Sequence, residues 1–543
     1  MMCRLLLTIL CMLVSLVAMP RGYNVVAADS DSVKKSYVHM LHTDMTRFDE
    51  AINPDAWILV GNVSFRSDSM YMFCDSAHYF QKRNAFQAFG NVRMEQGDTL
   101  FLYGDYLDFD GDTNMARVRN HVRLIDKNTV LETDSLDYDR NLNLGYFFDY
   151  GSLSDGESVL SSFYGEYNIT TKVALFNDDV SLENPQFSML SDTLYYSTDS
   201  KVATISGPTN IYTGGSEVYS ERGRYNTATR HAFLLDRSVI FNDLKAVEAD
   251  SIFYDSAKGY SEAFGGIVYN DTVNRNMLAG EYAYINEFSD SAYVTGKAMV
   301  VDYSQKDSLF MHSDTIWAVS YNVDTDSVYR LVKAYHKVRA WGSSMQAVCD
   351  SLVFDSRDTC LTMYKDPILW NEGVQLLGEV VKVYMDSTSI NWVNVINQTL
   401  YAEAMDSVNY NQIKGQEMRF YFNEGKLSEM QVIGSVEIVF YPLDKDGTYV
   451  GMNTTVSGSA FAYLKEGQVD KVVVPKNSKG VFYPMGQRPA DKRFLDNFAW
   501  FDYVRPTSKD DIFNWRGKNA GEVLKVVKRD NVPLPTLKSI NRD

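Results

Sequence analysis

A single acidic residue returns along this chain at a nearly fixed interval, and that interval limits the fold more than any other feature. It is Asp75 in Phe73-Cys74-Asp75-Ser76-Ala77, Asp105 in Tyr103-Gly104-Asp105-Tyr106-Leu107 and Asp134 in Glu132-Thr133-Asp134-Ser135-Leu136. It recurs as Glu166, Asp192, Glu221, Asp250, Glu281, Asp314, Asp350 and Glu379. The step is shortest from Glu166 to Asp192, longest from Asp314 to Asp350, and about 30 residues on average. A unit of that size stacks, because one copy cannot bury its own apolar face and its neighbours do so. Acids placed periodically suit a structural role better than the paired carboxylates of a glycosidase, so the pattern argues against an enzyme, and no residue is assigned as catalytic.

Within each unit the periodicity is that of a strand. Before the acid, alternate positions are apolar or small (Leu100, Leu102, Gly104; Phe187, Met189, Ser191); after it, the second and fourth are apolar. These are Leu107 and Phe109, Leu136 and Tyr138, Leu194 and Tyr196, Ile252 and Tyr254. The two halves are out of phase by one residue, which places a bulge or corner at the acid, with its side chain free to cap exposed backbone N–H groups. A turn rich in Asp, Asn and Gly follows, then a second strand marked by Gly61-Asn62-Val63, Gly90-Asn91-Val92, Asn120-His121-Val122 or Gly265-Gly266-Ile267. The fold class is therefore all-β, a stack of antiparallel repeats with open edges at both ends.

Bulk properties narrow the function. The chain of 543 residues carries a net charge of -18, which argues against nucleic acid as a partner. Residues 1–28 read as a secretory signal, with Arg4, an apolar run from Leu5 to Ala18 and the small-residue site Val26-Ala27-Ala28. Cys74, Cys349 and Cys360 remain after it, an odd number that excludes a simple disulfide framework. Cys74 and Cys349 share the position before the acid, which elsewhere holds Gly104, Gly280 or Gly378, so they read as packing residues. His39 and His42 fit one face of a helix but lack a third ligand. Asp108, Asp110 and Asp112 around Gly111 read as a hairpin turn rather than a calcium loop. No metal or cofactor is expected. The expected organisation is a signal at 1–28, an N-terminal segment at 29–56, repeats at 57–400 and again at 401–485, and a mostly irregular tail at 486–543 packed through its tryptophans.

Gly90-Asn91-Val92, Gly97-Asp98-Thr99-Leu100 and Gly104-Asp105-Tyr106-Leu107-Asp108-Phe109 resemble the OstA-like/LptA family of lipopolysaccharide-transport proteins, as do Phe73-Cys74-Asp75-Ser76-Ala77 and Ala88-Phe89-Gly90-Asn91-Val92. The resemblance extends over about 57–484. It implies an elongated open β-jelly roll whose apolar groove carries lipid A acyl chains across the periplasm. It also implies docking to homologous jelly-roll domains of an inner-membrane exporter and an outer-membrane translocon, and head-to-tail self-association. The expected location is the periplasm, with possible association with the outer membrane. Under that reading Leu107, Phe109, Leu136, Tyr138, Leu194, Tyr196, Ile252 and Tyr254 are the candidate lipid-binding residues. The alternative is a structural or adhesive β-repeat protein of the cell envelope, in which the same residues fill a closed core. A carbohydrate-active β-solenoid enzyme would need a local break with clustered acids and aromatics, which the sequence lacks.

Overall fold

The repeat acid stands at a corner where two neighbouring strands break their ladder together. The computed structural model describes residues 36–517, apart from 50–53, 214, 243, 256, 274, 287, 305–306, 324, 387–389, 424–425 and 466–467; the expected signal at 1–28 lies outside them. Strands Met70–Phe80 and Ala85–Gln96 pair up to Phe73 with Arg93 and resume at Ser76 with Phe89. In the gap, Gly90 and Asn91 take φ of +75° and +44°, and Asn91 Nδ2 donates to Asp75 Oδ2 at 2.8 Å. A Cβ on Gly90 would lie 2.6 Å from that same oxygen, so this position needs glycine both for its left-handed backbone and for the approach of the acid.

The geometry repeats at Asp105, whose Oδ2 is 2.7 Å from His121 Nδ1, and at Asp350, which accepts from Lys365 at 2.9 Å. The acid thus ties mainly to a side chain of the left-handed pair rather than to its backbone, although His121 N does donate to Asp134 Oδ1 at 3.3 Å. Three corners depart from the sequence pattern. Glu166 lies three residues beyond its corner and pairs regularly with Leu175; Phe163 takes the acid's place, its N–H donating to Asp178 O at 3.1 Å beside the left-handed Asp178 and Asp179. Asp44 bonds Asn62 Nδ2 at 2.8 Å, and Gln416 faces Gly434 in the acid's place.

The small residue before the acid is explained by the next strand. A Cβ on Gly280 would lie 2.5 Å from Val294 Cγ1, so the valine fills the slot. Cys74 and Cys349 occupy it as buried free thiols; burial pushes the Cys74 thiol up to about 12 and that of Cys349 upward as well. Both are unsuited to nucleophilic chemistry. His39 and His42 lie on the strand Val38–His42, not on a helix. Asp110 Oδ1 accepts from the backbone N–H of Asp112 at 2.9 Å, closing the turn.

The corners break the ladders of the long strands, so within each unit the half-strands after the acid form a front wall and those before it a back wall. The described residues fall into two compact units divided between Ser181 and Leu182. In the first, Phe65 of the back wall stacks on Phe86 of the front wall at 4.2 Å, and Phe86 lies 5.4 Å from Phe109. The hairpin tips opposite the corners are laced together across the walls. Arg140 Nη2 donates to Ser67 O at 3.5 Å, and Asp126 accepts from Tyr167 at 2.8 Å and pairs with Lys172.

In the second unit, Cys349, Leu352, Val381, Val395, Met418 and Val432 belong to an interior core. A separate cluster lies outside the back wall, where Val348, Ile368, Trp370, Leu377, Leu400 and Val439 meet Leu495, Phe501 and Val504 of the C-terminal segment. That segment, with short 3-10 turns such as Asp502–Val504, is held by three buried glutamines. The tryptophans are lesser anchors than expected, since Trp515 is exposed and Trp500 is half-buried beside Tyr410.

At the far end of this segment, His312 is buried against Phe513, with ring centroids 4.8 Å apart, and its Nδ1 meets Ala298 O at 2.8 Å. Burial holds its pKa below the ordinary 6.5, and neighbouring Arg339 and Lys337 act in the same direction, against the Ala298 hydrogen bond and Asp314. A histidine kept neutral in the fold contributes stability above its unfolded pKa and loses it as pH falls through that value toward the folded one. Acidification below about pH 6.5 is therefore expected to loosen this docking. Trp515 fluorescence followed against pH should show a transition that His312→Phe removes.

Candidate functional site

Each of the eight candidate lipid-binding residues lies on the inner face of the front wall of its own unit, four in the first and four in the second. Leu107 and Leu136 both pair with Val118, and Phe109 and Tyr138 both pair with Ala116. These four are fully buried, as are Leu194, Tyr196 and Ile252; Tyr254 is half-buried. In the first unit the phenylalanine stack and the laced tips leave a packed interior.

The second unit is looser between Lys245–Asp255 and Asn276–Asn286. There Val247, Tyr254, Tyr269, Leu278 and Ile285 point inward yet are only half-buried, whereas Leu102, Phe109 and Met94 at the matching corner-relative positions of the first unit are buried. Ser261 pairs with Tyr254 and Ile285 at a position that holds Phe86 at one corner of the first unit and Ala116 at another; Phe109 and Tyr138 stay buried beside Ala116, so the small residue alone does not account for the looser wall. The turn residues at the same level expose apolar side chains, Leu244 and Val273 on the back wall and Phe288 on the front. Exposed cations stand beside them at Arg230, Lys245, Lys258 and Arg275.

Sequence reasoning found Tyr254 and passed over Val247, Tyr269, Leu278 and Ile285, although all sit in the same alternating pattern.

Residues 35–192 match the family model of OstA-like proteins. The search of curated proteins gave no match. Among solved structures, the chain is similar to LptH, described as the LptA homologous periplasmic component of the conserved lipopolysaccharide transport device from Pseudomonas aeruginosa. Identity is 18%, with a TM-score of 0.19, over 22% of this chain and 81% of that one. Among the described residues no helix is long and apolar enough to cross a membrane.

Proposed function

With residues 35–192 an OstA-like segment, we propose that this chain is a non-enzymatic periplasmic carrier of lipopolysaccharide that shields lipid A acyl chains between its two walls. The observation that carries the reading is the loosened inner wall at Val247, Tyr254, Tyr269, Leu278 and Ile285, flanked by the exposed apolar residues Leu244, Val273 and Phe288. Each methylene moved from water to such surroundings gains about 0.8 kcal/mol. The phosphates stay in water, where Arg230, Lys245, Lys258 and Arg275 offset the acidity of the chain as a whole.

Leu107, Phe109, Leu136, Tyr138, Leu194, Tyr196 and Ile252 line the same face and contact acyl chains where the walls part. In the first unit that requires displacing the phenylalanine stack. The packed state there favours the second reading, a structural β-repeat, for that unit taken alone.

Bridging between membranes rests on strand addition. Val38–His42 and Met45–Phe48 each pair, among the described residues, with Trp57–Ser67; Gln468–Val473 and Lys479–Pro484 each pair with Gly451–Lys465. Met40, Leu41, Met45 and Phe48 are exposed on the first pair of strands, and Val472, Val481 and Phe482 on the second. These edges suit the jelly-roll domains of an exporter, a translocon or a second copy.

A photoreactive amino acid at Leu278, at Phe109 and, as a surface control, at Glu132 tests the reading with purified lipopolysaccharide. Saturable labelling is expected at position 278 and weaker labelling at 109. Labelling at none of the three, or equally at 132, would reject the carrier reading and leave the structural one.

A further inference from the structure

The outer face of the front wall in the second unit carries a row of aromatic rings that neither the core nor the inner groove uses. Along one register, Phe233 pairs with Phe253, Phe253 with Glu262, Glu262 with Tyr284, Tyr284 with Tyr293 and Tyr293 with Trp317. Arg224 precedes the row and Lys333 follows it. A second file runs beside it, with Phe264 5.2 Å from Tyr282 and Tyr282 5.9 Å from Tyr293. Tyr293 in turn lies 4.8 Å from Trp317. Phe233 is 43% exposed, Phe264 39% and Trp317 38%.

Packing of the wall does not demand these rings. The same register in the first unit reads Gln87, Asp108, Arg117, Asp137, Tyr146 and Glu166, a row that folds on charge pairs instead. A contiguous exposed aromatic surface on a soluble face marks a binding site.

We propose that this outer row is a binding platform for an extended, uncharged glycan, whose pyranose rings lie flat against the aromatic faces. Three features select that partner. The rungs advance about 4.8 Å per strand, with adjoining rings tilted by 42° to 67° to one another, so that rings are offered singly to the apolar faces of sugar rings along the row. The row mixes rings with hydroxyls and charges that hydrogen-bond sugar hydroxyls: Tyr284, Tyr293, Glu262 and the flanking Arg224 and Lys333. The row also lacks the aliphatic side chains and the cluster of cations that docking on an anionic bilayer requires, and the net charge of -18 disfavours a polyanion.

The full chain titrated with cellotetraose and with N-acetylchitotetraose, followed by Trp fluorescence and calorimetry, tests the platform. Saturable binding of at least one tetrasaccharide is expected. Trp317→Ala and Tyr293→Ala should each weaken it roughly five- to tenfold, with Trp317→Phe retaining most of it, and thermal unfolding should confirm that each variant is folded. Vesicles of phosphatidylglycerol and phosphatidylcholine form the control arm. Absence of binding to either tetrasaccharide overturns the proposal. So does binding unchanged in both alanine variants, or Trp317-dependent binding to vesicles alone. Labelling of position 278 by lipopolysaccharide is expected to be unaffected in Trp317→Ala, so the platform and the carrier reading stand or fall separately.

Discussion

Replacing Gln375 with leucine is expected to destabilise the second unit by roughly 2–5 kcal/mol, among the largest effects available to a single polar substitution in this chain. Gln375 is fully buried on the outer face of the back wall. Its Nε2 donates to Ala499 O at 2.8 Å, and its Oε1 accepts from Phe501 N at 2.7 Å and from Trp370 Nε1 at 3.2 Å. Gln412 repeats the arrangement two strands away, donating to Arg493 O and accepting from Leu495 N, both at 2.9 Å. Gln346 accepts from Arg505 Nε at 2.8 Å. An irregular segment has no ladder of its own to satisfy its buried N–H and C=O groups; Gln375 and Gln412 each supply it one donor and one acceptor, while Gln346 holds the Arg505 side chain and donates to Gly342 O. Leucine has the volume but neither bond, so it strands a carbonyl and two N–H groups.

Removal of residues 489–543 should act through area instead. It would bare Ile368, Trp370, Leu377, Leu400 and Val439 on one face, and a patch of that kind promotes association. Urea unfolding of Gln375→Leu and Gln412→Leu, with dye binding and light scattering on the truncated chain, checks both. A glutamine variant that loses under about 1 kcal/mol, or a truncated chain that stays monomeric and binds no dye, would show that the segment is not clamped as described.

How far the sequence anticipates the structure follows from the range of the interactions involved. The corners were legible because each is local: an acid, a small residue before it and a left-handed pair one strand later leave a fixed spacing. Asp44 was missed because its partners Gly61 and Asn62 open the first full repeat, and Gln416 because it replaces the acid with an amide of the same reach. The inner faces of Leu107 or Leu194 were legible from period-two alternation. The loosening around Tyr254 was not, because Tyr254 keeps the same alternation as the buried Phe109 and Tyr138, and the difference between them lies in neighbours from other strands. The docking of the C-terminal segment was least legible of all. Its anchors are glutamines that look like solvated strand residues until Phe501 and Leu495, more than 80 positions distant, are placed over them.

The second large effect is expected at the lacing of the first unit. Asp126 is almost fully buried at a hairpin tip of the back wall, where it forms an ion pair with Lys172 and accepts from Tyr167, both from the front wall. Removing only one member of such a pair leaves an uncompensated charge in a low-dielectric site, and costs of about 3–5 kcal/mol are usual. Lys172→Met should therefore destabilise the first unit strongly, with Asp126 retaining only the Tyr167 hydroxyl of these two partners. Asp126→Leu combined with Lys172→Met should recover most of the loss, because a pair of apolar residues in the same volume avoids desolvating two ions. The coupling term of the double-mutant cycle should exceed about 2 kcal/mol, measured by urea denaturation. The cycle also bears on the groove. If the ion pair holds the two walls together over Phe65 and Phe86, Lys172→Met should raise labelling by lipopolysaccharide at position 109 while leaving position 278 unchanged. Equal stability of Lys172→Met and the parent chain would mean that the pair is solvated and the walls are held by the phenylalanine stack alone. Loss of stability without any gain in labelling at 109 would mean that this interior belongs to the structural core and that cargo is confined to the second unit.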